Sequence, residues 1–353
     1  MAAVKIGING FGRIGRMVAR AMAMRPGEFE IVAINDVGPP PKIHAHLFKY
    51  DTIHGVFHGD VSFTDNALTI NGKNIRVCGE KDPTKLPWKE LGATVVIEST
   101  GVFTAKRDTA KGKAGYDDHI TAGAKKVILS APAKDAIDAT VVLGVNDEAL
   151  KREHTFVSNG SCTTNCLAPL VKVMADNPQL FGENIVGTMT TVHAYTNDQR
   201  ILDQVHGDDL YRARAAAGNI IPSSTGAAKA IGLVVPKKTI QLDGLALRVP
   251  VMDGSIVDLT VALDKEVEVM AVNDCFKKAA ASPRFKGILQ YSEEPLVSSD
   301  IINNPYSSIF AANQTMTVPK GKGRVLKLLS WYDNEWGFSN RVCDLAVRLA
   351  GMV

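Results

Sequence analysis

Short runs of apolar, β-branched residues punctuate the first 160 positions, and stretches suited to helices lie between some of them. Val4 to Ile8 reads as a buried strand, Arg16 to Met24 as a helix stopped by Pro26-Gly27, and Ile31 to Ile34 as a second strand ending at Asn35-Asp36. Further strands are expected at Val95 to Ile97, Val127 to Leu129 and Val141 to Leu143, so this half predicts a parallel sheet. Within it, Val61 to Val77 predicts a small antiparallel insertion that turns at Asn71-Gly72.

After Cys162 the pattern changes. Thr188 to Val192, Gly244 to Val249 and Ile256 to Leu263 are longer and closer to alternation, which predicts an antiparallel or mixed sheet faced with helices. Thr196 to Ser224 carries Arg200, Arg212 and Arg214, contains no clear strand, and is long enough to be a functional loop. The expected fold class is therefore α/β, a doubly wound parallel-sheet domain followed by an α+β domain with a mixed, largely antiparallel sheet.

The chain has 353 residues, which suits two packed lobes, and a hydrophobic fraction of 45% with 22% charged residues belongs to an ordinary folded protein. A formal charge of +3 gives no general attraction to nucleic acid or membranes, so neither is expected as a partner and anion binding must be local. Five scattered cysteines fit a protein that keeps reduced thiols. Residues 1 to 9 hold too short an apolar run for a secretory leader, and no run approaches a membrane span, so the cytoplasm is the expected compartment.

Gly10-Phe11-Gly12-Arg13-Ile14-Gly15 lies between the first strand and its helix, and Asp36 closes the second strand 21 residues after Gly15. That context turns a weak glycine pattern into a dinucleotide site. Gly10 permits the turn, Gly12 lets backbone approach a pyrophosphate, Gly15 lets helix pack on strand, and Asp36 accepts from ribose hydroxyls while repelling a 2′-phosphate.

Ser161-Cys162-Thr163-Thr164-Asn165-Cys166 follows a strand at Thr155 to Ser158 and precedes a helical apolar pattern, which puts Cys162 at a helix N-terminus where the thiolate is favoured. Pro169 lies inside that helix, where a kink or early 3₁₀ turn is expected. Cys166 reads as core packing, with a disulfide or redox pair as the alternative. His193, at a predicted strand end, is the candidate base. His44, His46, His54 and His58 fit no zinc spacing and are expected as solvated surface, so no metal site is expected.

At these residues the sequence closely resembles the glyceraldehyde-3-phosphate dehydrogenases. The blocks are Asn9 to Arg16, Ser99-Thr100-Gly101, Ser130-Ala131-Pro132, Ser161 to Pro169, Thr191 to Ala194, Ser224 to Lys229, Leu247 to Pro250 and Trp331 to Gly337, in one order along the chain. The resemblance implies a Rossmann-type domain over 1–161, completed by the C-terminal helix 331–353, and a catalytic domain over 162–330. It implies NAD as cofactor, held by Gly10, Gly12, Arg13, Ile14, Asp36, Lys81, Ser130 and Asn334. Cys162 would be the nucleophile and His193 its base. Thr196 and Arg248 would hold the phosphate of glyceraldehyde 3-phosphate, and Ser161, Thr163, Thr225, Gly226 and Arg212 the attacking inorganic phosphate. A homotetramer is implied as well.

Four departures from the family pattern stand out. Gln204-Val205-His206-Gly207 replaces a Leu-Pro pair and adds a residue, and Val37-Gly38-Pro39 follows Asp36, so NAD is preferred while NADP use stays open. Phe338 stands where tyrosine is common, and the chain is longer around Gly112 to Asp118. The closest alternatives are an erythrose-4-phosphate dehydrogenase and an NAD-binding regulatory protein without turnover.

Overall fold

The computed structural model of the chain describes residues 2–207, 209–237 and 239–353. They form two compact units: Met1–Val141 with Asp147–Ser161 and Ser339–Val353, and Val142–Asn146 with Cys162–Phe338.

The first unit carries strands β1 (Val4–Asn9), β2 (Phe29–Asn35), β3 (Tyr50–Asp51), β4 (Gly55–Val56), β5 (Val61–Phe63), β6 (Ala67–Ile70), β7 (Lys73–Cys78), β8 (Val95–Glu98), β9 (Lys126–Leu129), β10 (Ala139–Thr140) and β11 (Phe156–Ser158). Its helices are α1 (Arg13–Ala23), α2 (Pro41–Lys49), α3 (Trp88–Leu91) and α4 (Asp118–Thr121). Nine strands make one sheet in the order β10-β11-β9-β8-β1-β2-β7-β6-β5, with β3 and β4 a separate ribbon. The ladders from β10 to β7 are parallel, and the β5-β6-β7 insertion is antiparallel. Asn71 (φ 49°) and Gly72 (φ 75°) take the left-handed conformations that a tight hairpin between β6 and β7 needs. Strand order runs one way from β1 through β2 and the other way through β8, which makes a topological switch point at the carboxyl ends of β1 and β8.

α1 begins at Arg13, three residues before the expected start, because Gly12 can serve as its N-cap in extended backbone. Met17, Val18, Ala21 and Met22 form its buried face. Arg20 is buried too, and its guanidinium donates to the Phe48 and Lys49 carbonyls that end α2, satisfying groups a helix terminus leaves open. α2 itself corrects one expectation. Residues 41–49 are helical, and His44, expected on the solvated surface, faces inward with Ala45 and Phe48, its ring edge-on to Phe11 at 5.5 Å. The expected strand at Val141 to Leu143 is also absent; these side chains are buried, but the short ladder lies at Ala139–Thr140.

The second unit carries β12 (Ile185–Ala194), β13 (Ile221–Ser224), β14 (Ile240–Val249), β15 (Ser255–Glu268), β16 (Leu289–Ser292), β17 (Ser308–Ala311), β18 (Met316–Val318) and β19 (Lys322–Tyr332). Its helices are α5 (Cys162–Ala175), α6 (Pro178–Phe181), α7 (Ala227–Val234) and α8 (Val269–Ala280), and α9 (Trp336–Ala350) runs from this unit into the first. The sheet order is β13-β14-β12-β15-β19-β17-β16, with β18 on β19. It is mixed: β12 is parallel to β14 and β16 to β17, and the remaining ladders are antiparallel.

Here too the structure differs from the sequence reading. Ile221–Ser224, inside the segment expected to hold no strand, is an edge strand against β14; a proline and two serines conceal it. α5 stays α-helical through Pro169, without a 3₁₀ turn, because packing on nearly every side holds it. Residues 331–338 lie with the second unit, since Trp331 and Tyr332 end β19 and the Asn303 N–H holds the Asp333 carboxylate at 2.8 Å.

Candidate active site

The glycine turn leaves β1 and enters α1. Gly10 has φ +91°, and a Cβ there would meet the Thr100 nitrogen at 2.5 Å; a Cβ on Gly15 would meet the Gly10 carbonyl at 2.1 Å. A Cβ on Gly12 would meet nothing within 4 Å. Two glycines are thus demanded by packing, and the third borders open space at a helix N-terminus that no side chain caps. That open cradle, with the Arg13 and Ile14 amides on the first turn of α1, suits a pyrophosphate.

Around the cradle, the Phe11 N–H donates to Asp36 Oδ2 at 3.0 Å, which fixes the carboxylate at the end of β2. The Arg13 guanidinium is engaged by Asp51, so its main chain is what it offers a ligand. Burial would raise the Asp51 carboxyl, but Arg13 and the His54 and Ile53 amides outweigh burial and hold it at about 2. Lys81 is exposed in the loop after β7, and the Ser130 amide donates to the Glu98 carbonyl at 3.0 Å at the end of β9.

In the second unit Cys162 is the first residue of α5 and His193 lies near the end of β12. Sequence spacing could not tell whether they meet; the Sγ to Nε2 distance is 3.4 Å. Burial pushes the Cys162 thiol up, and the Arg248 charge and the Thr163 hydroxyl and amide oppose it. Burial, reinforced by Arg248, lowers His193 to about 3, so the imidazole is neutral at physiological pH and free to take a proton.

Arg248 reaches this pair because parallel β12 and β14 put His193 beside Arg248 in register. Its Nη1 lies 2.6 Å from His193 Nδ1, which is also 2.6 Å from the Ala194 carbonyl. The Tyr332 ring stands edge-on to the imidazole at 5.9 Å, and its hydroxyl is shared with Thr163 at 2.9 Å and Thr191 at 2.7 Å. Cys166, one turn below Cys162, is buried beside Ser308 and Ser330; the cysteines are free, so it packs in the core and forms no disulfide.

The expected phosphate ligands are only partly gathered. Thr225 and Gly226 sit at the N-terminus of α7, where the Thr225 hydroxyl accepts from the Ala227 amide. Ser161 directly precedes Cys162. Thr196 and Arg212, assigned to different phosphates, are joined by Asp198, which accepts from the Thr196 hydroxyl and from Arg212 Nη1 at 2.6 Å. Sequence reading missed Asp198 as the link between these two expected ligands. Its signal was the Thr-x-Asp spacing, in which a hydroxyl reaches a carboxylate two residues on.

Asn334 is buried, and its Oδ1 accepts from the Ser255 hydroxyl at 2.6 Å, while Ser255 accepts from the Ala194 amide at 3.1 Å. Ser255 was also missed; its part depends on a neighbouring strand, which no local pattern encodes. Beside them Asp253 and Asp333, both buried, share a side-chain hydrogen bond. Burial and the neighbouring Asp333 charge push the Asp253 carboxyl far above the carboxylate range.

An open sheet that reverses its strand order beside a glycine turn, in a chain that also sets a thiol against a neutral imidazole, defines a dinucleotide-dependent oxidoreductase. Residues 4–106 match the family described as glyceraldehyde 3-phosphate dehydrogenase, NAD binding domain, and residues 161–334 the corresponding C-terminal domain. The chain is 53% identical over 345 residues to a glyceraldehyde-3-phosphate dehydrogenase of Streptomyces coelicolor, covering 98% of each chain. It is 55% identical over 343 residues to glyceraldehyde-3-phosphate dehydrogenase 1 of Bacillus cereus, 97% of each chain. Against the enzyme of that name from Geobacillus stearothermophilus, identity is 52% over 349 residues, 99% of this chain and 98% of the relative. The chain belongs to the glyceraldehyde-3-phosphate dehydrogenase family, and NAD is its cofactor.

Proposed function

We propose that the chain oxidises D-glyceraldehyde 3-phosphate to 1,3-bisphosphoglycerate through a thioester on Cys162, consuming inorganic phosphate. The observation that carries this reading is the 3.4 Å approach of Cys162 Sγ to a neutral His193 Nε2 at the N-terminus of α5. Bound NAD supplies the hydride acceptor.

Cys162 gives its proton to His193 and its sulfur bonds to the aldehyde carbon, whose oxygen takes that proton from His193 to give a hemithioacetal and leave the imidazole neutral again. His193 then removes the hydroxyl proton as the carbon–hydrogen pair leaves, and the acyl group stays on sulfur. A phosphate oxygen attacks the acyl carbon, the carbon–sulfur bond breaks, and Cys162 departs as thiolate. Arg248 with Thr196, and Arg212 with Ser161, Thr163, Thr225 and Gly226, are the proposed holders of the two phosphates, since dianions are best met by guanidinium forks and converging donors. Asp198 fits this as a stand-in carboxylate that keeps Thr196 and Arg212 ordered before an anion arrives.

The cofactor-binding roles proposed for Gly10, Gly12, Arg13, Ile14, Asp36, Lys81, Ser130 and Asn334 draw on the open cradle and the anchored Asp36 carboxylate. With its oxygen taken by Ser255, the Asn334 amide is left to donate to a nicotinamide carboxamide. No helix among the described residues is long and apolar enough to cross a membrane, and cytoplasmic residence is part of the proposal.

The test is initial-rate measurement of NADH formation from glyceraldehyde 3-phosphate and from erythrose 4-phosphate, each with and without inorganic phosphate. Phosphate-dependent turnover of the triose is expected, and Cys162→Ser should abolish it while NAD binding persists. Turnover that ignores phosphate, or survives in Cys162→Ser, would overturn the reading.

A further inference from the structure

Asn35, Asn9 and Glu98 are the last residues of three adjacent strands, β2, β1 and β8, and Asn9 pairs in register with both neighbours. This row lies at the switch point of the sheet. Asn35 Nδ2 donates to Asn9 Oδ1 at 2.7 Å, and Asn9 Nδ2 donates to Glu98 Oε2 at 2.6 Å. The Thr100 amide and hydroxyl donate to Glu98 Oε1 at 2.8 and 2.5 Å. His119 Nε2 lies 3.0 Å from Oε2, and Trp88 Nε1 donates to His119 Nδ1 at 3.1 Å.

The indole fixes the protons of this network. Trp88 Nε1 can only donate, so His119 Nδ1 carries the lone pair, the imidazole is neutral, and its Nε2–H points at Glu98. Glu98 is therefore a buried carboxylate that accepts from four donors, all of them neutral. A buried charge held only by dipoles exists when every donor is aimed in advance.

What the network grips is the rim of the proposed cofactor cleft. On one side the Asn35 amide clasps the Glu80 main chain at both its carbonyl, 2.9 Å, and its N–H, 2.8 Å, which sets the loop bearing Lys81. On the other, Glu98 holds Thr100 by its side chain and Ser130 by its carbonyl. We infer that Glu98 is a positioning residue for the dinucleotide: it locks the Lys81 side and the Thr100–Ser130 side of the cleft in one register from beneath, and the Trp88–His119 pair fixes its donors. This inference rests on the cofactor-site reading above.

The test compares NAD titration calorimetry, steady-state kinetics and thermal unfolding for Trp88→Phe, Glu98→Gln and Asp36→Ala. Trp88→Phe removes one N–H at the outer end of the network and keeps an aromatic ring under β1. It should raise Kd and KM for NAD about threefold to tenfold, with kcat and the KM for aldehyde nearly unchanged, and Glu98→Gln should raise them further. A network that serves stability alone would lower the unfolding temperature and leave Kd for NAD at the wild-type value; that result in Trp88→Phe overturns the inference even if Glu98→Gln fails to fold. Asp36→Ala separates the two readings. Unchanged NAD affinity there defeats the cofactor-site reading, whereas weakened Asp36→Ala beside wild-type Kd in Trp88→Phe defeats the network alone.

Discussion

The two nitrogens of His193 have opposed surroundings. Nε2 faces the thiol, and Nδ1 faces both a carbonyl that wants a proton and a guanidinium that offers one. Arg248 lowers both the Cys162 thiol and the His193 imidazole by its charge. Its removal should move both up, so in Arg248→Ala the pH profile of Cys162 alkylation by iodoacetamide shifts to higher pH and the rate at pH 7 falls several-fold; an unshifted profile would deny the coupling. Asp253 makes a second titration argument. The folded chain keeps on Asp253 a proton that the unfolded chain releases above the ordinary carboxylate range. Folding therefore binds protons, and this pair costs stability increasingly as pH rises from that range through neutrality. Asp253→Asn, which can still donate to Asp333, should stabilise the chain more at pH 8 than at pH 5 in urea unfolding. The placement of Cys162 at a helix start, of Asp36 at a strand end and of the glycines in the first turn was legible because it depends on local chain geometry. Asp253, Ser255 and Asp198 were not, because each acts through a partner that only tertiary structure brings near.

Elements were read best where the pattern and the ladder coincide. β8 opens on a continuous apolar run, β1 and β2 are apolar and buried past the exposed Lys5 and Glu30 near their starts, and each strand was placed within two residues of its bounds. Val141 to Leu143 misled because burial without pairing produces the same apolar run as a strand. His44 misled in the other direction: Pro41 at the start of α2 was a helix signal hidden among prolines, and a histidine on its inward face looks polar in sequence. The strand that positions His193 depends on close approach. A Cβ on Gly187 of β12 would meet the Thr260 carbonyl oxygen of β15 at 2.1 Å. Gly187→Ala should therefore cost about 1–3 kcal/mol, read as a lower urea midpoint, and should slow turnover; an unchanged midpoint would mean that the β12–β15 ladder yields freely.

Two units were expected from length and from the change in strand character, and the C-terminal boundary was the part that patterning could not give, since it falls inside α9, between Phe338 and Ser339, where one helix runs on unbroken. For assembly, the segment between β12 and β13 exposes Ile201, Leu202, Val205 and Leu210, each at least 75% accessible. Apolar side chains grouped in this way on one segment mark an interaction surface. We propose that this segment meets a neighbouring subunit in the homotetramer that the family resemblance implies, and Val205→Asp with Leu210→Asp should shift sedimentation velocity towards smaller species. A boundary identical to wild type would place the subunit contact elsewhere.

Trp88 has one more consequence. The chain has three tryptophans, and Trp88 is the only one in the first unit, fully buried with its N–H bonded to a neutral imidazole. A chain carrying Trp331→Phe and Trp336→Phe would show tryptophan emission from that unit alone. Heating it would time the loss of the nucleotide-binding half by emission colour, separately from the melting of the half that holds the thiol.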